Sequence, residues 1–127
     1  MERRLFIRLS SYTAAAISLP LLNGCWDNRL NSELAKPQLL MHILDKKTIK
    51  DIGENYRKQY PSEDSKSKLS DLLIAGSPIT DRSESPSVQS YFDKKIQDDF
   101  SSGHTTMVNG WILSVTEARQ CALLSLI

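Results

Sequence analysis

The 127-residue sequence has little of what catalytic and metal-binding domains are built from. It holds two histidines, two cysteines and five glycines, and aromatic residues make up only 7%. Neither His42 nor His104 has a partner at metal-ligand spacing, so no zinc or iron ligand set can be assembled from the pattern. No Gly-rich phosphate loop, Gly-x-Ser-x-Gly elbow or Cys-x-x-Cys pair occurs, which removes the common signatures of nucleotide binding, ester hydrolysis and dithiol exchange. So few glycines also argue against binding a flavin or dinucleotide unaided, and no cofactor is expected. Charge of one sign is lacking too: the formal net charge is +1. A nucleic-acid partner needs a basic face, so that class is excluded. Long apolar runs are missing as well. The best stretch, Leu9 to Leu22, is interrupted by Pro20 and rich in Ser and Thr, short of the about 20 apolar residues that span a bilayer.

What is present is concentrated at the N-terminus. A basic stretch, Met1 to Arg8, leads into that weakly apolar run, and Leu22-Asn23-Gly24-Cys25 closes it. This is the layout of an export signal. Arg3-Arg4-Leu5-Phe6-Ile7-Arg8 resembles a twin-arginine translocation motif, with Arg3, Arg4 and Phe6 at its defining positions and Glu2 where Ser or Thr is usual. Leu22-Asn23-Gly24-Cys25 resembles a lipobox, whose cysteine accepts diacylglycerol. The expectation is a signal over 1–24, export through the twin-arginine translocase, and a lipid anchor at Cys25 facing the periplasm of a bacterial envelope. An ordinary secretory signal or an uncleaved N-terminal anchor are the alternatives. Beyond residue 24, 13 basic and 14 acidic residues leave the chain at −1. Lipid on Cys25 would leave Cys121 without a partner; without lipid, a Cys25–Cys121 disulfide becomes available.

Length allows one small domain. Residues 25–36 are polar and read as a tether, which leaves 37–127 as the domain. Pro37 suits a first helical turn, and Leu39, Leu40, Ile43 and Leu44 follow at helical spacing, continued by Ile49, Ile52, Tyr56 and Tyr60. Thr48 is a candidate cap for the second of these segments, and Pro61 stops it. A third helix is predicted from Glu63 to Ala75, with Leu69, Leu72 and Leu73 inward and Gly76 as its end. After a polar loop, Ser85 and Pro86 open a fourth helix whose stripe is Val88, Tyr91, Phe92, Ile96 and Phe100, ended by Gly103. Thr105–Val108 and Trp111–Leu113, joined by Asn109-Gly110, form a hairpin of type I′. Ser114-Val115-Thr116-Glu117 is a capping box opening a last, apolar helix. The fold expected is mainly α: four or five helices with one short hairpin at about 105–113 before the last helix.

Residues with catalytic potential are few. Asp98-Asp99 are paired carboxylates in sequence, but neighbours on a helix point apart, and a solvated face is the simpler reading. Cys121, among Ala and Leu, reads as an inert core thiol. No catalytic residue is assigned. Trp111, Glu117 and Arg119 form the candidate partner interface, because Trp and Arg are frequent interface anchors. Their structural alternative is a core indole, with Arg119 snorkelling to solvent or paired to a nearby carboxylate.

The twin-arginine leader, the aliphatic-Gly-x-x-Tyr step at Ile52-Gly53-Glu54-Asn55-Tyr56, and Trp111 ahead of Thr116-Glu117-Ala118 together resemble one protein group. It is the small, cofactor-free subunits of membrane-bound, flavin-dependent sugar and polyol dehydrogenases. The resemblance implies a non-catalytic subunit that carries the export signal for a leaderless flavin subunit and stabilises it. A stand-alone envelope lipoprotein with a structural or ligand-binding role is the rival.

Overall fold

Local chemistry explains where the elements begin and end. In a computed structural model of the chain, which describes residues 30–80 and 82–127, a helical stretch over 30–34 is followed by α1 (Gln38–Ile43) and α2 (Lys46–Gln59). A 3-10 turn, Pro61–Glu63, leads to α3 (Lys66–Ile74) and then α4 (Ser85–Ser102). β1 (Thr105–Val108) and β2 (Trp111–Ser114) precede α5 (Val115–Leu124). The chain is thus mainly helical with a single antiparallel hairpin before its last helix, as the sequence predicts. Arg3, Arg4, Phe6 and Cys25 lie outside the described residues.

The last helix is the centre of the molecule. Thr116, Glu117, Ala118, Gln120, Cys121, Ala122 and Leu123 are all buried, and α2, α3, α4 and both strands pack around them. The α2–α5 crossing is very close because Gly53 has no side chain there: a Cβ would stand 2.1 Å from the Cys121 carbonyl oxygen. Ile49, Ile52 and Tyr56 of α2, Leu69 and Leu73 of α3, and Val88 and Phe92 of α4 complete the core. Fully burying each large apolar side chain contributes about 1.5–3 kcal/mol.

Several boundaries differ from the pattern reading. Leu34 and Ala35 are core residues, and the Gln120 amide donates to the Leu34 carbonyl at 3.0 Å. The folded body therefore starts by residue 30, inside the stretch read as a tether; polar neighbours hid the Leu30/Leu34 pair. In α1 only Leu40 is buried, while Leu39 and Ile43 face outward. The helical spacing was right there but the buried side is narrower than the stripe. The second cap lies three residues earlier than Thr48: α2 starts after Asp45, whose carboxylate accepts from the Thr48 hydroxyl. Ser65, not Glu63, opens the third helix, its hydroxyl accepting from Lys68 N–H. In α4 the inward face runs Val88, Phe92, Asp99, and Phe100 is exposed.

Candidate functional site

The hairpin is built by its turn. Asn109 and Gly110 both have positive φ, at 53° and 82°, which a type I′ turn needs and which Gly adopts freely. Register follows: Thr105 faces Ser114, Thr106 faces Leu113, Met107 faces Ile112 and Val108 faces Trp111. One face goes inward, burying Val108 and Leu113. Met107 and Ile112, directly opposite each other on the other face, are 60% and 63% exposed. Trp111 is 40% exposed, so it is no core anchor. The Tyr60 and Thr106 hydroxyls, 2.9 Å apart, fasten the ribbon to the end of α2.

Glu117 and Arg119, grouped with Trp111 by sequence, have other occupations. Glu117 is buried within the capping box: its backbone N–H donates to the Ser114 hydroxyl at 2.9 Å, and its carboxylate accepts from Ser114 N–H at 3.3 Å. Burial pushes its pKa up, and the nearby Asp99 charge adds to this against the Ser114 hydrogen bonds. Arg119 is half-buried and grips Glu63 with both sides of its guanidinium, Nε to Oε1 at 2.9 Å and Nη2 to Oε2 at 3.3 Å. The buried Tyr56 hydroxyl donates to the same carboxylate at 2.9 Å. Burial works against ionised Glu63, but the Arg119 and Tyr56 hydrogen bonds outweigh it and its pKa is lowered. The same burial and the Glu63 hydrogen bond push Tyr56 up. Trp111 therefore stands on the surface while Glu117 and Arg119 are held in internal networks.

The sequence pattern gave no sign of a second carboxylate inside the fold. Asp99 is buried and accepts from Thr116 N–H at 3.0 Å and from the Thr116 hydroxyl at 2.6 Å. It satisfies one orphan donor of α5 while Ser114 satisfies the next. Asp98 alone keeps the solvated position read for the pair. Asp99 lies seven residues beyond Phe92 on the same helix face, but that spacing alone does not separate a buried carboxylate from a solvated one. Lys95, His104 and Arg119 line a cleft of about 360 Å³ beside it. His104 is exposed, its Nδ1 3.0 Å from the Ser102 hydroxyl. In the lining of that cleft the Thr116 hydroxyl is committed to the Asp99 carboxylate as part of the helix cap. His42 is exposed on α1.

Cys121 is buried, and burial with the Glu117 charge pushes its thiol up to about 12. Such a group is no nucleophile at neutral pH. Among the described residues, no group of three or more His, Cys, Asp or Glu is placed to hold a metal ion, and no helix is long and apolar enough to cross a membrane. A groove of about 350 Å³ opens between α1, the start of α2 and the C-terminal residues. No protein-family model matches the chain, and neither a curated protein nor a solved structure is similar to it.

Proposed function

We propose that this chain is a non-catalytic accessory subunit of a membrane-associated oxidoreductase, exported by the twin-arginine translocase and anchored by lipid at Cys25 in a bacterial envelope. The carrying observation is the outer face of the hairpin, where Met107 and Ile112 stand opposite each other in water; Trp111, paired with Val108, is half-exposed at the turn end of the other face. An exposed cross-strand apolar pair has the composition of an interface centre, and the half-exposed Trp111 indole extends it around the turn edge of the ribbon. The rigid I′ turn presents it at little conformational cost.

The leader supports the kind of partner. Twin-arginine export carries folded cargo, and a small domain without a cofactor has little need of that route unless it escorts a folded protein. The resemblance to dehydrogenase small subunits names the class: a flavin-dependent subunit lacking its own leader. Within this reading Trp111 belongs to the interface, while Glu117 and Arg119 hold the helix beneath it.

The test is affinity capture of the mature protein from detergent-solubilised membranes. Wild type should bring down a flavoprotein, and Met107→Ser with Ile112→Ser should lose it while keeping the wild-type helical circular dichroism. Capture of no protein by wild type would sink the escort reading and leave a lone envelope lipoprotein.

A further inference from the structure

Two opposite charges on one side of α4 stand a turn apart without using each other. Lys95 and Asp99 both line the cleft of about 360 Å³ beside the start of α5. Residues four apart on a helix share a face, with Cβ atoms about 5–6 Å from one another. Lys95 nonetheless makes no ion pair among the described residues, either with Asp99 or with Asp98. Asp99 is only 6% exposed, and half of its carboxylate is spoken for: Oδ2 accepts from both the Thr116 N–H and the Thr116 hydroxyl. Oδ1 has no hydrogen-bond partner among the described residues. It is not sealed off either, since among those residues Gln120 Oε1 alone is both enclosed and unpartnered. A buried carboxylate oxygen is costly unless a donor reaches it, and the cleft that Asp99 lines is the way in. The neighbouring charges do not change this balance. Arg119 also lines the cleft, but Glu63 holds its guanidinium and answers its charge. The Glu117 carboxylate is turned to the Ser114 N–H.

The lining therefore offers an unpaired ammonium and a free carboxylate oxygen side by side, and each turns away a class of ligand. An inorganic anion would meet Asp99, and a simple amine would meet Lys95. One carboxylate is too few to hold a hard metal ion. A molecule carrying an ammonium and a carboxylate on one carbon satisfies both groups: its N–H donates to Asp99 Oδ1, and its carboxylate accepts from the Lys95 ammonium. We propose that the cleft between α4 and the start of α5 binds a small zwitterion of the α-amino acid class, held between Asp99 and Lys95. The volume lies near the lower end of the about 300–1,000 Å³ usual for ligand clefts, which suits a single small amino acid better than a peptide. Thr116 fixes the Asp99 carboxylate from behind, so the acceptor is set on two helices before the ligand arrives. This site goes beyond the escort reading and depends on neither the hairpin partner nor the lipid anchor.

The test is nuclear magnetic resonance of the purified, isotope-labelled protein at neutral pH and fixed ionic strength, titrated with alanine, propionate or ethylamine. Alanine should shift the backbone amides of Lys95 and Thr116 and the ring of His104, which also lines the cleft. Half-saturation should fall at about 1–10 mM, as two charge-assisted contacts in an open cleft allow. Propionate lacks the ammonium and ethylamine lacks the carboxylate, so each should bind about tenfold or more weakly than alanine. Lys95→Met keeps the aliphatic stem and should weaken alanine binding about tenfold, while Lys94→Met, exposed on the same helix, should leave it unchanged. Asp99→Asn keeps an oxygen for Thr116 and should weaken alanine binding by a similar factor; Lys95→Met, which touches no cap, decides alone where Asp99→Asn unfolds. Absence of saturable shifts up to about 50 mM alanine would mean that the cleft holds water only, and would overturn the site. Propionate binding as tightly as alanine would overturn the zwitterion in favour of a simple anion. Wild-type affinity for alanine in Lys95→Met, or shifts confined to residues outside the cleft, would overturn the placement.

Discussion

A Cβ placed on Gly53 would lie 2.1 Å from the carbonyl oxygen of Cys121 and 2.9 Å from the Cα of Ala122. Both contacts are with backbone, so no side chain can turn aside. Gly53→Ala should force α2 and α5 apart and cost about 3 kcal/mol, the upper part of the overpacking range. Urea denaturation measures it. A Gly53→Ala protein within about 0.5 kcal/mol of wild type would contradict the crossing.

Adjacent carboxylates should behave in opposite ways. Asp99→Ala strips the acceptor from Thr116 N–H and the Thr116 hydroxyl and should cost about 1–3 kcal/mol. Asp98→Ala, at an exposed position, should change stability by about 0.5 kcal/mol or less. Equal losses from the two substitutions would refute the second cap on α5.

Acid stability should be divided between two glutamates with opposite signs. Glu63 has its pKa lowered from the ordinary 4.5, so the stability it contributes is fully present above 4.5 and is lost as pH falls through its folded value. Glu117 has its pKa raised from the same 4.5, so it costs stability as pH rises from there through its folded value. Urea midpoints followed from about pH 6 down to pH 3 should therefore fall less steeply for Glu63→Gln than for wild type. Glu117→Gln should remove a loss on the rising side. A Glu63→Gln profile parallel to wild type would mean that the Arg119–Glu63–Tyr56 network does not hold the carboxylate ionised.

The mature protein should show one thiol, and only on unfolding. Cys121 is enclosed by α2 and α5 and its pKa stands at about 12, so native labelling at neutral pH should be slow on the timescale of global opening. Labelling in denaturant should then be complete. No thiol even after denaturation would signal the Cys25–Cys121 bridge instead of a lipid.

Local signals carried much of this architecture. Asn109-Gly110 fixes a turn through its own backbone preference, and Ser114 with Glu117 closes a box within four residues, so both were legible without tertiary information. Leu39 and Ile43 show the limit of periodicity: a stripe tells which residues share a side, while the neighbouring elements decide how much of that side is covered. Asp99 and Glu63 were illegible because their burial depends on Thr116 and Arg119, partners 17 and 56 residues away. Arg119 within an apolar helix was compatible with either a carboxylate partner or a snorkelling side chain, and only the fold showed that it meets Glu63. For the candidate surface, the sequence singled out Trp111, and only the register showed that Met107 and Ile112 stand together in water.

The central position of α5 also sets an order of events during biosynthesis. Helices α2, α3 and α4 pack against residues 115–124, and Gln120 reaches back 86 residues to the Leu34 carbonyl. Contacts so distant along the chain are slow to form, because the intervening segment must first be confined. While the ribosome is still making the hairpin, α2, α3 and α4 have nothing to close on, and the emerging polypeptide has no finished interior. Folding therefore waits until residues 115–124 have been made, and a chain truncated before residue 115 should lack the helix on which its core closes.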